Sequence, residues 1–179
     1  LGIDPAENIV KEANNSGIKT ICNFFSYDLA KNLREKSQMA DVIHANNVMA
    51  HIPDINNFIK GLKVLLKPQG KIIIEIPYFL DLVDQLEFDT IYHEHVYYFA
   101  LKPLIKAFKL QKLHIYSLEK LSIHGGSLRL FIAHENERQE ETIIRDTLLN
   151  ENEFGLFNKV TYINFMKDLA NLKDSLVIK

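Results

Sequence analysis

The run KIIIEIPYF, from Lys71 to Phe79, limits what this chain can fold into more than any other stretch. Ile72, Ile73, Ile74 and Ile76 put branched apolar side chains on both faces of an extended segment, because successive strand residues point to opposite sides. A strand apolar on both faces suits the inside of a parallel sheet that helices cover on either side. The flanking sequence supplies the other parts. LGI reads as a strand, and DPAENIVKEANNSG as a helix with Asp4 at the N-cap, Pro5 in the first turn, Glu7 three residues after the cap and Gly17 as the stop. KTICNFF reads as a strand, SYDLAKNLREKSQ as a helix with Leu29, Ala30 and Leu33 on one stripe, and ADVIHANN as a third strand. After Pro53, Ile55, Phe58, Ile59, Leu62, Leu65 and Leu66 recur at helical spacing, and PQG closes that helix. Alternation of this kind predicts an α/β, doubly wound, mostly parallel sheet.

A further helix is predicted from Leu101 to Leu110, and two strand-like runs around HGG predict an antiparallel pair at a sheet edge. Beyond Glu135 the composition turns charge-rich, with a thin apolar stripe at Ile143, Ile144, Leu148 and Leu149. The spacing therefore predicts a domain over 1–135 and a helical linker over 136–179. The chain lacks an initiator Met and opens like the tail of a strand, so it reads as a fragment of a longer protein.

With 179 residues there is enough chain for one domain with a true core. Lys and Arg number 21 against 23 Asp and Glu, a balance that offers no broad field to nucleic acid or to a membrane surface. Cys22 stands alone, which excludes an internal disulfide and a multi-cysteine zinc cage in this chain and suits a reducing, cytoplasmic setting. No apolar run approaches the length of a membrane span, and no secretory leader is present. A small-molecule partner is expected.

Doubly wound sheets bind ligands beyond the carboxyl ends of their strands. The residues just after each predicted strand are Asp4, then Phe24 and Phe25, then Asn46, Asn47 and His51, then Glu75 and Tyr78. Asp4 suits either a ribose diol, through two accepted hydrogen bonds, or the cap of the next helix. Phe24 and Phe25 suit a purine face or plain core, and Asn46 and Asn47 a ligand or a turn.

FDTIYHEHVYYF, from Phe88 to Phe99, concentrates imidazole, carboxylate and phenol. A helical zinc signature needs histidines four apart, whereas His93 and His95 are two apart and share a face only in extended chain. Zinc would need a third ligand, His51 or Glu75 at nearest, and no metal is expected here. Acid-base work asks less, since a neutral imidazole removes a proton once a neighbour such as Tyr92 or Glu94 orients it. The plainer alternative is a solvated polar loop. In IHGGSLRLF, Gly125 and Gly126 permit close backbone approach and Arg129 suits a phosphate, with a tight hairpin and an exposed arginine as the other reading.

The strings GIDPAENI, ANNVMAHIPD, FDTIYHEHVYYF and HGGSLRLF, in this order from about Gly2 to His134, resemble the sugar C-methyltransferases. Members of that family use S-adenosylmethionine to methylate nucleotide-linked ketosugars, on a class I methyltransferase (Rossmann-like) domain. The resemblance implies an N-terminal zinc module, a glycine-rich cofactor loop and a C-terminal domain outside this chain, so a fragment of this extent is expected to be inactive alone. It implies that Asp4 holds the cofactor ribose, that Phe24 and Phe25 line the adenine pocket, and that Asn46 and Asn47 pass beside the cofactor. It also implies that His51, Tyr92, Glu94 and His95 face the sugar with His95 as the base, and that Tyr78 and Arg129 contact substrate. Two other readings remain at this stage, a nucleotide-sugar oxidoreductase and a non-catalytic domain on the same fold.

Overall fold

The computed structural model of the chain describes residues 1–177. Its centre is β4 (Leu66–Pro77), where Ile72, Ile74 and Ile76 are each fully buried. One neighbour is β3 (Ala40–Asn46), which runs parallel to β4. The other is β6 (Ser127–His134), which runs antiparallel and is paired in turn with β5 (Leu113–Leu121) at the sheet edge. The order is thus β3-β4-β6-β5, with β6 alone reversed. This is the expected α/β architecture with an antiparallel edge pair. The PQG stretch is the exception: instead of ending a helix it lies within β4 as an irregularity. Leu66 faces Ala40, Lys71 faces Val42, and Gln69 takes a φ of 61° between them.

A second, two-stranded parallel sheet joins β1 (Gly2–Asp4) to β2 (Thr20–Cys22). It shares no hydrogen-bonded neighbour with the larger sheet. A cleft of about 740 Å³ separates them, walled by Gly2 and Ile3 on one side and Val42 to Ala45 on the other.

Helix α1 (Glu7–Asn15) starts later than its sequence suggests. Its N-cap is Ala6, with no side-chain cap; Asp4 instead turns its Oδ1 back to accept the Ala6 N–H at 2.8 Å. Helix α2 (Tyr27–Glu35) is capped by Ser26, which accepts from the Leu29 N–H, and α3 (Ile55–Leu65) by Asp54, which accepts from the Asn57 N–H. Phe58, Ile59, Leu62 and Leu65 form the buried face of α3, as their spacing predicts. Two shorter helices follow β4 and precede β5, α4 (Phe79–Asp84) and α5 (Leu101–Leu110).

After Glu135 the chain forms α6 (Thr142–Glu153) and α7 (Lys159–Val177), separated at Gly155 with φ 74°. Ile144 and Leu156 are fully buried in the same core as Ile72, Ile74 and Phe108. Among the described residues no helix is long and apolar enough to cross a membrane. The core's dependence on β4 is measurable. Ile74→Ala should lower the free energy of unfolding by about 2–5 kcal/mol, read from urea denaturation, because a rigid sheet interior relaxes little around the cavity.

Candidate active site

Three loops meet beyond the ends of β3 and β4. The first leaves β3 through Asn47, whose φ of 52° turns the chain sharply into the short 3-10 turn Met49–His51. The second leaves β4 through Pro77 and Tyr78. The third is the polar run between α4 and α5, which crosses back so that the Val96 N–H donates to the Ala50 carbonyl at 2.9 Å. Together they wall a pocket of about 240 Å³ that includes Asn47, His51, Tyr78, Tyr92 and His95.

His95 is the half-buried imidazole of this group. Its Nε2 lies 2.9 Å from the Tyr92 hydroxyl, and the two rings lie 4.3 Å apart between centroids. The His51 ring lies 5.0 Å from that of His95, edge-on at 62°. The His51 Nδ1 is 3.1 Å from the Glu94 carbonyl. A carbonyl only accepts, so neutral His51 carries its hydrogen on Nδ1 and leaves Nε2 bare. Burial lowers the His95 pKa from the ordinary 6.5, and the neighbouring His51 lowers it further; the Thr90 backbone and Glu94 oppose with smaller effects. His95 is therefore neutral, and able to accept a proton, at neutral pH.

The structure does not bring every sequence candidate to this pocket. Glu94 is exposed, and it joins the group through its carbonyl rather than its carboxylate. Tyr78 is 1% exposed and donates its hydroxyl proton to Glu151 at 3.2 Å, so the ring walls the pocket while the hydroxyl is used elsewhere. Burial, reinforced by the Glu151 charge, raises its pKa far above the ordinary phenol value and keeps it a donor. Arg129 corrects the phosphate reading. Its Nε and Nη2 reach Glu75 at 2.9 and 2.8 Å, and its Nη1 reaches Glu119 at 2.8 Å. Glu75, 4% exposed, takes the guanidinium as the partner for its buried charge, and the two carboxylates leave a net negative group there.

The proposed cofactor residues divide likewise. Phe25 packs edge-on against Phe58, 5.4 Å between centroids, and belongs to the core, whereas Phe24 is 71% exposed. Asp4 and Asn46 end β1 and β3. The Asn47 Oδ1 is buried without a hydrogen-bond partner among the described residues, an acceptor awaiting a donor from outside the chain.

Glu87 and His124 also line the pocket, and neither stood out in the sequence as a site residue. The only hints were the HGG turn itself and the position of Glu87 just ahead of the aromatic run. Gly125, at φ 74°, lies so close to Glu87 that a Cβ there would come within 1.8 Å of its carboxylate; at Gly126, φ 127°, one would meet Asp81 at 2.2 Å. Burial raises the Glu87 pKa, with Asp89 and Asp81 adding to the effect. No group of three His, Cys, Asp or Glu side chains converges as a metal site among the described residues.

The imidazole pair gives a direct test. His51→Asn removes the like-charge neighbour, so the His95 titration followed by NMR should begin below 6.5 in the parent and move upward in the variant.

Comparison with known proteins bears on the family and the fold. Residues 1–118 match the model of a methyltransferase domain, and residues 122–178 that of a C-methyltransferase C-terminal domain. The C-methyltransferase NovU of Streptomyces niveus is 32% identical over 166 residues, which cover 92% of this chain and 40% of that relative. The chain thus spans well under half the length of the curated relative it matches. Among solved structures, a SAM-dependent methyltransferase from Anabaena variabilis superimposes with a TM-score of 0.58 at 16% identity, covering 75% of this chain and 67% of that one. A SAM-dependent methyltransferase from Thermotoga maritima gives 0.53 at 15%, covering 72% and 70%. Those two likenesses concern the fold. The chain belongs to the methyltransferase-domain family, on a class I fold, and its residues 122–178 match the C-methyltransferase C-terminal model.

Proposed function

We propose that the protein is an S-adenosylmethionine-dependent C-methyltransferase that methylates a carbon next to the ketone of a nucleotide-linked sugar. The observation that carries this reading is the half-buried His95, paired with the Tyr92 hydroxyl and facing His51 in one pocket. A carbon nucleophile has to be generated by deprotonation, and a neutral, partly desolvated imidazole suits that task. S-adenosylmethionine, when bound, supplies an electrophilic methyl group on its sulfonium.

The chain's residues fit such a cofactor. Asn47 offers its unpartnered Oδ1, Phe24 an exposed aromatic face, and Asp4 a carboxylate at the end of β1 whose Oδ1 alone is used by the Ala6 N–H among the described residues. Asn46 lies beside Asn47 at the end of β3.

His95 takes the proton from the carbon beside the ketone, and the C–H electron pair moves onto the ketone oxygen as an enolate. Tyr92 holds the imidazole by the hydrogen bond to Nε2, which fixes the ring against rotation. Burial, and after it the neighbouring His51, lower the His95 pKa and favour the uncharged ring before the proton arrives. Closing an apolar and aromatic wall around the base, with Tyr78 and Leu82, limits water near the carbanion. The match to a C-methyltransferase supports carbon as the acceptor atom, and the resemblance of the YHEH and HGGSLR strings to the sugar C-methyltransferases supports the nucleotide-sugar acceptor.

His95→Asn in the full-length protein should lower kcat for methyl transfer by roughly 10²–10⁴-fold, with calorimetric affinity for S-adenosylmethionine unchanged. Unaltered turnover would remove His95 as the base. In the parent enzyme the acid limb of kcat/KM should fall away below pH 6.5, because protonation of His95 abolishes its lone pair.

A further inference from the structure

Glu151 is a fully buried carboxylate in α6, outside the stretch that matches the methyltransferase domain. Charged residues are seldom buried to this extent without partners, and Glu151 has three. Its Oε1 accepts the Leu101 N–H at 2.5 Å and the Tyr78 O–H at 3.2 Å, and its Oε2 accepts the Lys102 N–H at 3.1 Å. Two of these donors are main-chain N–H groups in the first turn of α5, where the helix dipole favours an anion. The N-cap residue Ala100 has no side chain to fill that role, and a glutamate 50 residues away along the chain fills it.

The third donor changes what the contact does. Tyr78 follows β4 and its ring walls the pocket that holds His95. Leu101 lies six residues after His95, on the same continuous segment, and that segment is bridged to the β4 exit where Tyr78 pairs with Phe99 and the Phe79 N–H donates to the Phe99 carbonyl at 2.9 Å. A narrow space lined by Pro77, Tyr78, Thr90, His95 and Tyr98 lies between these two walls. Glu151 therefore grips both walls from behind, one through a phenol and the other through a helix terminus.

We infer that Glu151 is a positioning residue for the methyl-transfer site: through Tyr78 and the first turn of α5 it fixes the spacing of the two loops that enclose His95. The inference rests on the proposed reading of that site and extends it to the helical region after β6. It touches neither substrate nor proton in this role. A glutamine at 151 keeps the shape of the side chain but lacks the charge, and its amide nitrogen faces a donor wherever it points, so at least one of the three hydrogen bonds is lost.

Glu151→Gln in the full-length enzyme should lower kcat by roughly tenfold, with KM for S-adenosylmethionine within about a factor of two of the parent. Tyr78→Phe should reproduce much of that loss, and the double variant should fall short of the product of the two, as expected for residues acting as one unit. The NMR signals of the His95 ring should move in both single variants while the fold persists. A drop in thermal midpoint with kcat and the His95 signals unchanged would reduce Glu151 to a helix cap and overturn the inference. Should Glu151→Gln fail to fold, Tyr78→Phe decides on the same two readouts, with no change in either overturning the inference. If the parent transfers no methyl group, it is the proposed function that fails, and the His95 signals alone judge the positioning role.

Discussion

Strand β4 has a partner on each edge, and Ile72, Ile74 and Ile76 bury one of its faces completely; this placement governs the rest of the molecule. The opposite face holds the half-buried Ile73 and the buried Glu75, whose charge needs a partner there. The remedy lies across the sheet, where Arg129 stands opposite Glu75 in register and Glu119 stands opposite Arg129 on the other side. Cross-strand neighbours of opposite sign need no reorganisation to meet, so the pairing is settled by the register itself. The same register delivers Pro77 and Tyr78 to the rim at a defined height, beside the exit of β3, and so determines where the imidazoles stand.

The pocket works by partial exclusion of water. Full exposure would leave His95 with an ordinary titration and no orientation, while complete burial would seal it from any substrate. Its observed position, half-buried between a phenol and a second imidazole, suppresses the charged form and still leaves one side open. Backbone contacts set the spacing of the two histidines, with His51 tied to the Glu94 carbonyl and the Val96 N–H tied to Ala50.

Much of this was legible beforehand because it depends on periodicity. The apolar spacing of α3 and the HGG hairpin follow from local chemistry and are found where the pattern places them, whereas only one face of the β4 isoleucines joins the core, and Ile73 stays half-buried on the face that carries Glu75. Polar residues were less legible, since their role depends on what the fold sets opposite them. Nothing in the order of residues tells that Arg129 faces two carboxylates, that Tyr78 turns its hydroxyl away from the pocket, or that Phe24 and Phe25 part company. Asp4 illustrates the same limit at short range: its type and spacing suit a cap, yet it accepts the N–H of Ala6, and the helix begins two residues later with Ala6 as its N-cap. Glu151 was hidden most completely, because a lone glutamate in a charge-rich helix looks like a solvated one.

The double glycine of the hairpin has an effect reaching past the turn it makes. Two acidic side chains occupy the very volumes that a methyl group on either residue would claim, so the turn and the carboxylates are mutually exclusive tenants of one space. Any larger residue at Gly125 would have to displace the Glu87 carboxylate from the pocket wall. A bend that looks purely mechanical thus also reserves the place of a pocket-lining carboxylate.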